Sequence, residues 1–131
     1  MQQLTNDFRD LLDLFGLPYV DAPFEAEAQC AALNLQGVCD GVASDDSDTL
    51  LFGAKVLYRH LFSRKHKVTA YSAANVEKRC GLDRGALIEY AQLVGSDYAV
   101  GVRNIGKVKA TEIISDFCDE NGKNALQVQK K

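Results

Sequence analysis

The chain has 131 residues, 47% of them hydrophobic and 25% charged, with a formal net charge of -3. This is the composition of one globular domain or a piece of one, and it excludes disordered, collagen-like and low-complexity chains. No stretch approaches the roughly 20 apolar residues needed to span a bilayer, and MQQLTNDFRD lacks the basic start and apolar run of a signal peptide, so an intracellular protein without membrane contact is expected.

Leu4, Phe8, Leu11, Leu12 and Phe15 fall on one helical face, with Gln3, Asp7, Asp10 and Asp13 on the other. Gly16 is the predicted stop, and Pro18 follows. Residues 18–22 (PYVDA) read as a short strand. Pro23 opens the next predicted helix, whose Ala-rich body runs over 25–35 and ends at Gly37. Residues 38–43 (VCDGVA) read as a strand buried on both faces, 55–61 as a third strand, SRKHK as a basic turn and 68–71 as a fourth strand. Ser72 caps a helix to Arg79 that stops at Gly81. Asp83 caps another over 84–94, with Leu87, Ile88, Ala91, Leu93 and Val94 on or near its inner side, and Gly95 ends it. A glycine-bounded loop, 101–106 (GVRNIG), precedes a helix over 107–118 and a polar tail that is expected to fray.

Alternating strands and helices predict an α/β domain with a mostly parallel sheet, in which ligands bind beyond the carboxyl ends of the strands. Cys30, Cys39, Cys80 and Cys118 have no paired metal-ligand spacing and read as reduced, mostly buried thiols. His60 and His66 read as surface or packing residues without a catalytic role.

The net charge hides a split. Residues 1–54 hold one cation, Arg9, against ten acids, a balance of -9; residues 55–131 hold fourteen cations against eight acids, a balance of +6. The split suits one part that binds metal and another that binds phosphate, and equally a mixed solvated surface.

Three acidic elements stand out: Glu25 and Glu27 in an opening helical turn, Asp45, Asp46 and Asp48 after a strand, and Asp97 in GSDY. Mg²⁺ takes one or two carboxylates plus water and phosphate oxygens, and two ions about 3.5–4 Å apart can clamp a phosphodiester. Each element also has an ordinary structural reading. Acids favour a helix N-terminus, SDDSD can cap its own turn, and Asp97 can be a plain loop residue.

The order LFGLPYVDAPFEAEAQCAALNL, DGVASDDSDTLLFGAKVLYRHLF, GLDRGALIEYAQLVGSDYAVGVRNIGKVKATEI resembles the internal region of the flap-endonuclease/XPG family of structure-specific 5′ nucleases. Within the family, EAEAQCA and DDSD before LFGA look most like XPG, its excision-repair branch. The resemblance implies a PIN-like 5′-nuclease core over 1–82, a helix-two-turn-helix module over 83–118 and a tail over 119–131. It places metal-binding carboxylates at Glu25, Glu27, Asp46, Asp48 and Asp97, with Asp45 as a supporting acid and two Mg²⁺ ions, or Mn²⁺, as cofactors. It places K⁺ on the backbone carbonyls of Gly101, Val102 and Ile105. It gives duplex contact to Gly101, Arg103, Asn104, Gly106, Lys107 and Lys109. Glycines that admit a close phosphate, a following helix start and nearby cations agree with that contact, although a plain helix–helix turn with solvated lysines has the same pattern.

The implied activity is Mg²⁺-dependent hydrolysis of phosphodiesters at single-strand/double-strand junctions of bubble or flap DNA. The setting is nuclear nucleotide-excision repair, with repair-complex proteins as further partners. The family's N-terminal region, which carries two more metal-binding aspartates, has no counterpart here, so the core is expected to be truncated and the isolated chain inactive or weak. A non-catalytic duplex-DNA-binding fragment and a related RNA nuclease are the rival readings.

Overall fold

The periodic apolar residues of the N-terminal segment do form a helix in the computed structural model, which describes residues 2–117. This helix, α1 (Gln2–Phe15), ends in a Schellman turn. Gly16 has φ +67°, its N–H donates to the Asp13 carbonyl at 3.0 Å, and the Leu17 N–H donates to the Leu12 carbonyl at 2.9 Å. The apolar face of α1 is open, with Phe8 57% and Phe15 71% exposed. Arg9 ties the helix to the next segment by pairing with Asp21, and its guanidinium lies 5.9 Å from the centroid of the Tyr19 ring.

Residues 18–22 are not a strand, contrary to their pattern. Pro18 and Pro23 bring no backbone donor, and none of the described strands pairs with this segment. Helix α2 (Ala26–Leu35) starts three residues after Pro23, so Pro23 does not open it; Glu25, with φ −74° and ψ 133°, is its extended N-cap. The helix closes at Gly37, where the Val38 N–H donates to the Leu33 carbonyl at 3.0 Å.

The expected strand over 38–43 shrinks to β1 (Val42–Ala43), whose Val42 is buried and Ala43 exposed. A one-turn helix without a sequence forecast, α3 (Asp48–Leu51), follows it. Strand β2 (Val56–Arg59) pairs in parallel with β1, in register Val42↔Leu57 and Ala43↔Tyr58. Strand β3 (Thr69–Ser72) pairs antiparallel with β2, from Val56↔Ser72 to Arg59↔Thr69. The described sheet is therefore mixed, with order β1-β2-β3, and not mostly parallel. A short turn permits only an antiparallel return, because a parallel one needs a crossover of a dozen or more residues.

Helix α4 (Ala73–Cys80) stops at Gly81, which is left-handed. Helix α5 (Arg84–Val94) is capped as the sequence predicts, with the Asp83 carboxylate accepting the Ala86 N–H at 2.8 Å. Helix α6 (Lys107–Phe117) packs on α5 and buries Ala110 and Ile114. The forecast helix end at Cys118 and the tail 119–131 lie outside the described residues.

The core gathers Ala31, Val42 and Ala54, with Phe52 against them. Asn34, 2% exposed, staples it. Its Nδ2 donates to the Cys39 carbonyl at 2.8 Å, and its Oδ1 accepts the Lys55 N–H at 2.7 Å and the Val56 N–H at 3.3 Å. One amide thus joins α2, the approach to β1 and the start of β2. The cysteines depart from expectation, since Cys30, Cys39 and Cys80 are exposed free thiols. Cys39 falls on the irregular approach to β1, and Cys30 and Cys80 fall on uncovered helix faces. No described helix is long and apolar enough to cross a membrane.

Candidate active site

The acids follow β1 directly. The Ser44 N–H continues the β1–β2 ladder to the Tyr58 carbonyl at 3.1 Å, and the chain then turns through residues 44–48. Short side chains that bond their own backbone fix this turn. The Ser44 Oγ accepts the Asp46 N–H at 3.0 Å, an Asp46 carboxylate oxygen accepts the Asp48 N–H at 2.8 Å, and the buried Thr49 hydroxyl donates to the Asp46 carbonyl at 2.9 Å. Asp46 therefore braces the start of α3 with one carboxylate oxygen. Asp45 points elsewhere. Its carboxylate accepts the His60 N–H at 2.6 Å and lies 3.5 Å from His60 Nδ1, which fastens the acid turn to the end of β2.

Asp97 arrives from the far side, on a tight turn after α5. Ser96 and Ala99 exchange backbone bonds of 2.8 and 3.2 Å, which places Asp97 and Tyr98 at the tip. Asp46, Asp48 and Asp97 then line one open cleft of about 420 Å³ between α3 and α5, with Leu87, Tyr90 and Val94 in its walls.

The electrostatics show the crowding. Desolvation first, then the charges of Asp46 and Asp97, raise the Asp48 carboxyl above its ordinary 3.8. Desolvation and then the carboxylates of Glu25, Asp48, Asp97 and Asp46 raise the Tyr98 hydroxyl. Glu25, exposed at the N-cap of α2, thus acts on the same spot as the three aspartates. Glu27 lies in the first turn of α2, where its charge acts on Cys30; partial burial first, then Glu27 and Cys39, push that thiol up. Glu27 does not line the cleft.

Carboxylates of this kind suit a hard divalent cation. Among the described residues, however, no three His, Cys, Asp or Glu side chains converge closely enough to hold one. The set matches the Mg²⁺ habit of one or two protein carboxylates completed by water and phosphate, and it falls short of a cage.

Tyr98 was not singled out from the sequence, although GSDY contains it. Its ring meets Phe52 edge-on, with centroids 5.8 Å apart and planes at 82°. The signal was the tight turn itself, which forces the residue after Asp97 to share its location.

The glycine loop lies behind this turn. Gly101 has φ +78°, and a Cβ there would stand 2.7 Å from the Val94 carbonyl oxygen and 2.8 Å from the Gly95 nitrogen, so only glycine fits. The Val102 N–H donates to the Leu93 carbonyl at 2.8 Å, stitching the loop to the end of α5. Asn104 is also left-handed, at φ 67°. The Ile105 N–H donates to the Val102 carbonyl at 3.0 Å, and the Gly106 carbonyl accepts the Ala110 N–H at 3.0 Å as α6 begins. Arg103, Lys107 and Lys109 are exposed around it.

Comparison with known proteins places this geometry. The profile of the XPG I-region matches residues 16–97. DNA repair protein RAD2 of Saccharomyces cerevisiae is 45% identical over 114 residues, which cover 87% of this chain and 11% of RAD2. The catalytic core of Rad2 in complex with DNA substrate superposes with a TM-score of 0.86 at 44% identity, over 89% of this chain and 40% of that one. The Holliday junction-resolving enzyme GEN1, in complex with product DNA and a Mg²⁺ ion, matches with a TM-score of 0.73 at 37% identity, over 84% of this chain and 29% of that one. The chain therefore spans about a tenth of the length of RAD2 and well under half of the solved Rad2 core.

Proposed function

The chain belongs to the XPG I-region family, and on that premise we propose that it is the internal part of a Mg²⁺-dependent, structure-specific DNA endonuclease of nuclear excision repair. The observation that carries this reading is the shared cleft of Asp46, Asp48 and Asp97 at the carboxyl end of β1. These three, with Glu25 and Glu27, are the proposed holders of two Mg²⁺ or Mn²⁺ ions. When bound, such ions lower the pKa of attacking water and offset charge on the phosphate. The chain's own residues orient the site: Ser44 and Thr49 fix Asp46, Asp46 fixes the start of α3, and the Ser96–Ala99 turn presents Asp97.

The helix–loop–helix of α5 and α6 is the proposed helix-two-turn-helix module. Its loop would take K⁺ on the carbonyls of Gly101, Val102 and Ile105. Arg103, Asn104, Lys107 and Lys109 would grip duplex phosphates without reading sequence. The substrate is DNA with a single-strand/double-strand junction, and repair-complex proteins are the wider partners.

Among the described residues no three acids come close enough together to hold an ion, and the chain spans 40% of the solved Rad2 core. The 131-residue chain alone is therefore expected to cleave weakly or not at all. The test supplies the uncovered part of a relative's catalytic core, fused or in trans, and assays bubble and flap DNA with Mg²⁺. Cleavage that requires both parts supports the reading; binding without cleavage under every combination favours a duplex-binding fragment. RNA of the same shape, cut as well as DNA, favours an RNA nuclease.

A further inference from the structure

The connection between β2 and β3 brings the two histidines of the chain together. The rings of His60 and His66 have centroids 5.0 Å apart and planes at 36°. The proposed cleavage uses neither of them.

Both histidines are held by their backbones. His60 leaves β2 in a left-handed conformation, φ 62°, which is strained for a residue with a Cβ and persists where its surroundings enforce it. The Asp45 carboxylate does so by accepting the His60 N–H at 2.6 Å. The His60 carbonyl accepts the Ser63 N–H at 3.2 Å, and the Ser63 Oγ accepts the His66 N–H at 3.0 Å. A continuous run of bonds therefore leads from Asp45 through His60 to His66.

The ring of His60 is oriented as well. The Asp45 carboxylate lies 3.5 Å from its Nδ1, which favours the proton there and leaves the lone pair on Nε2. A carboxylate behind an imidazole is the usual way a protein aims a metal-ligating histidine. The spacing agrees. Two imidazoles bound at about 2.0–2.1 Å to one tetrahedral ion have centroids about 5 Å apart, and these two stand at 5.0 Å.

Charge decides which ion fits. Arg64, Lys65 and Lys67 are exposed in the same connection and work against any cation held by charge alone. Mg²⁺ needs oxygen ligands, whereas Zn²⁺ and Cu²⁺ bind the neutral imidazole nitrogen itself. We propose that His60 and His66 together bind one borderline divalent ion of the Zn²⁺ class, with Asp45 as the positioning residue. Water completes the coordination, because among the described residues no three such side chains converge. Asp45 immediately precedes Asp46, so an ion here ties the β2–β3 connection to the acid turn. The inference does not depend on the nuclease reading.

The test titrates Zn²⁺ into the 131-residue chain in a buffer with excess Mg²⁺ and follows both imidazoles by ¹H–¹⁵N NMR. With two histidines in the chain, each ring is read individually, and zinc taken up by thiols elsewhere does not imitate the signal. Both rings should respond together and saturate at one ion per chain, with Nε2 as the His60 ligand. His60→Asn, which tolerates the left-handed backbone, and the exposed His66→Gln should each weaken the response of the remaining ring about tenfold or more. Asp45→Asn keeps an oxygen for the His60 N–H; it should lower affinity about tenfold and release the Nδ1–H preference of the metal-free ring. Amide spectra establish that each variant keeps the fold. No response, a response of one ring alone, or two responses that survive in the single variants overturns the site. Unchanged affinity and an unchanged His60 tautomer in Asp45→Asn overturn the role of Asp45.

Discussion

The acid turn at 44–48 and the glycine loop at 101–106 are both short, and they are held by opposite means. The acid turn is pinned by its own side chains, and desolvation first, then the like charges of Asp46 and Asp97, raise the Asp48 carboxyl and work against the fold. The glycine loop is held chiefly by backbone bonds, with the Lys109 Nζ also donating to the Asn104 carbonyl at 3.4 Å, it turns at a residue where no side chain fits, and its surrounding charges are cations open to solvent. The difference teaches where each site is fragile. Substituting Asp48 in the first disturbs charge and spares the bonds that pin the turn, whereas substituting Gly101 in the second disturbs the fold itself.

The comparison breaks most visibly at Gly101. Gly101→Ala combines a left-handed backbone with contacts below 3 Å to backbone atoms, and about 3 kcal/mol or more of stability should be lost. Gly106→Ala has open space, and its loss should stay within about 1 kcal/mol. Urea denaturation of the two variants reads the contrast; equal losses would contradict it.

A smaller effect is expected from the cations. Replacing Arg103, Lys107 and Lys109 together by alanine should weaken duplex binding at every sequence alike. The slope of log K against log salt should fall by about one for each phosphate contact removed. Fluorescence anisotropy across a salt series measures it, and a retained slope would move the duplex contact elsewhere.

The smallest effect sharpens the acid side. Asp48 has a folded pKa above its ordinary 3.8, so the folded state binds more protons than the unfolded one between those two values. Stability contributed by this group therefore falls as pH rises through that window, and the penalty is complete above it. Asp48→Asn should remove the penalty and raise the melting temperature slightly at pH 7, with no gain at pH 3. A lower melting temperature at pH 7 would show that the carboxylate supports the fold.

Much of this was legible in the sequence, for reasons that differ by element. Gly16, Gly37, Gly81 and Asp83 marked helix ends because those positions need a left-handed residue or a side-chain cap. The order of the motifs singled out five acids, and the structure brings Asp46, Asp48 and Asp97 to one cleft that Glu25 and Glu27 do not line. The strand expected at 18–22 failed because alternation says nothing about a partner strand. Helix α3 was missed because one turn carries no period, and the sheet direction because strand pattern alone does not give pairing sense. Tyr98 and the Asn34 staple owe their roles to a turn and a buried junction that exist only once the chain is folded.

The central claim is that Asp46 and Asp48 serve cleavage while Gly101 to Lys109 serve binding. It is tested most directly by the double variant Asp46→Ala, Asp48→Ala in the completed core, assayed on bubble DNA with Mg²⁺ for both incision and affinity. Incision should be lost with affinity largely intact. Incision at an unchanged rate would contradict the claim.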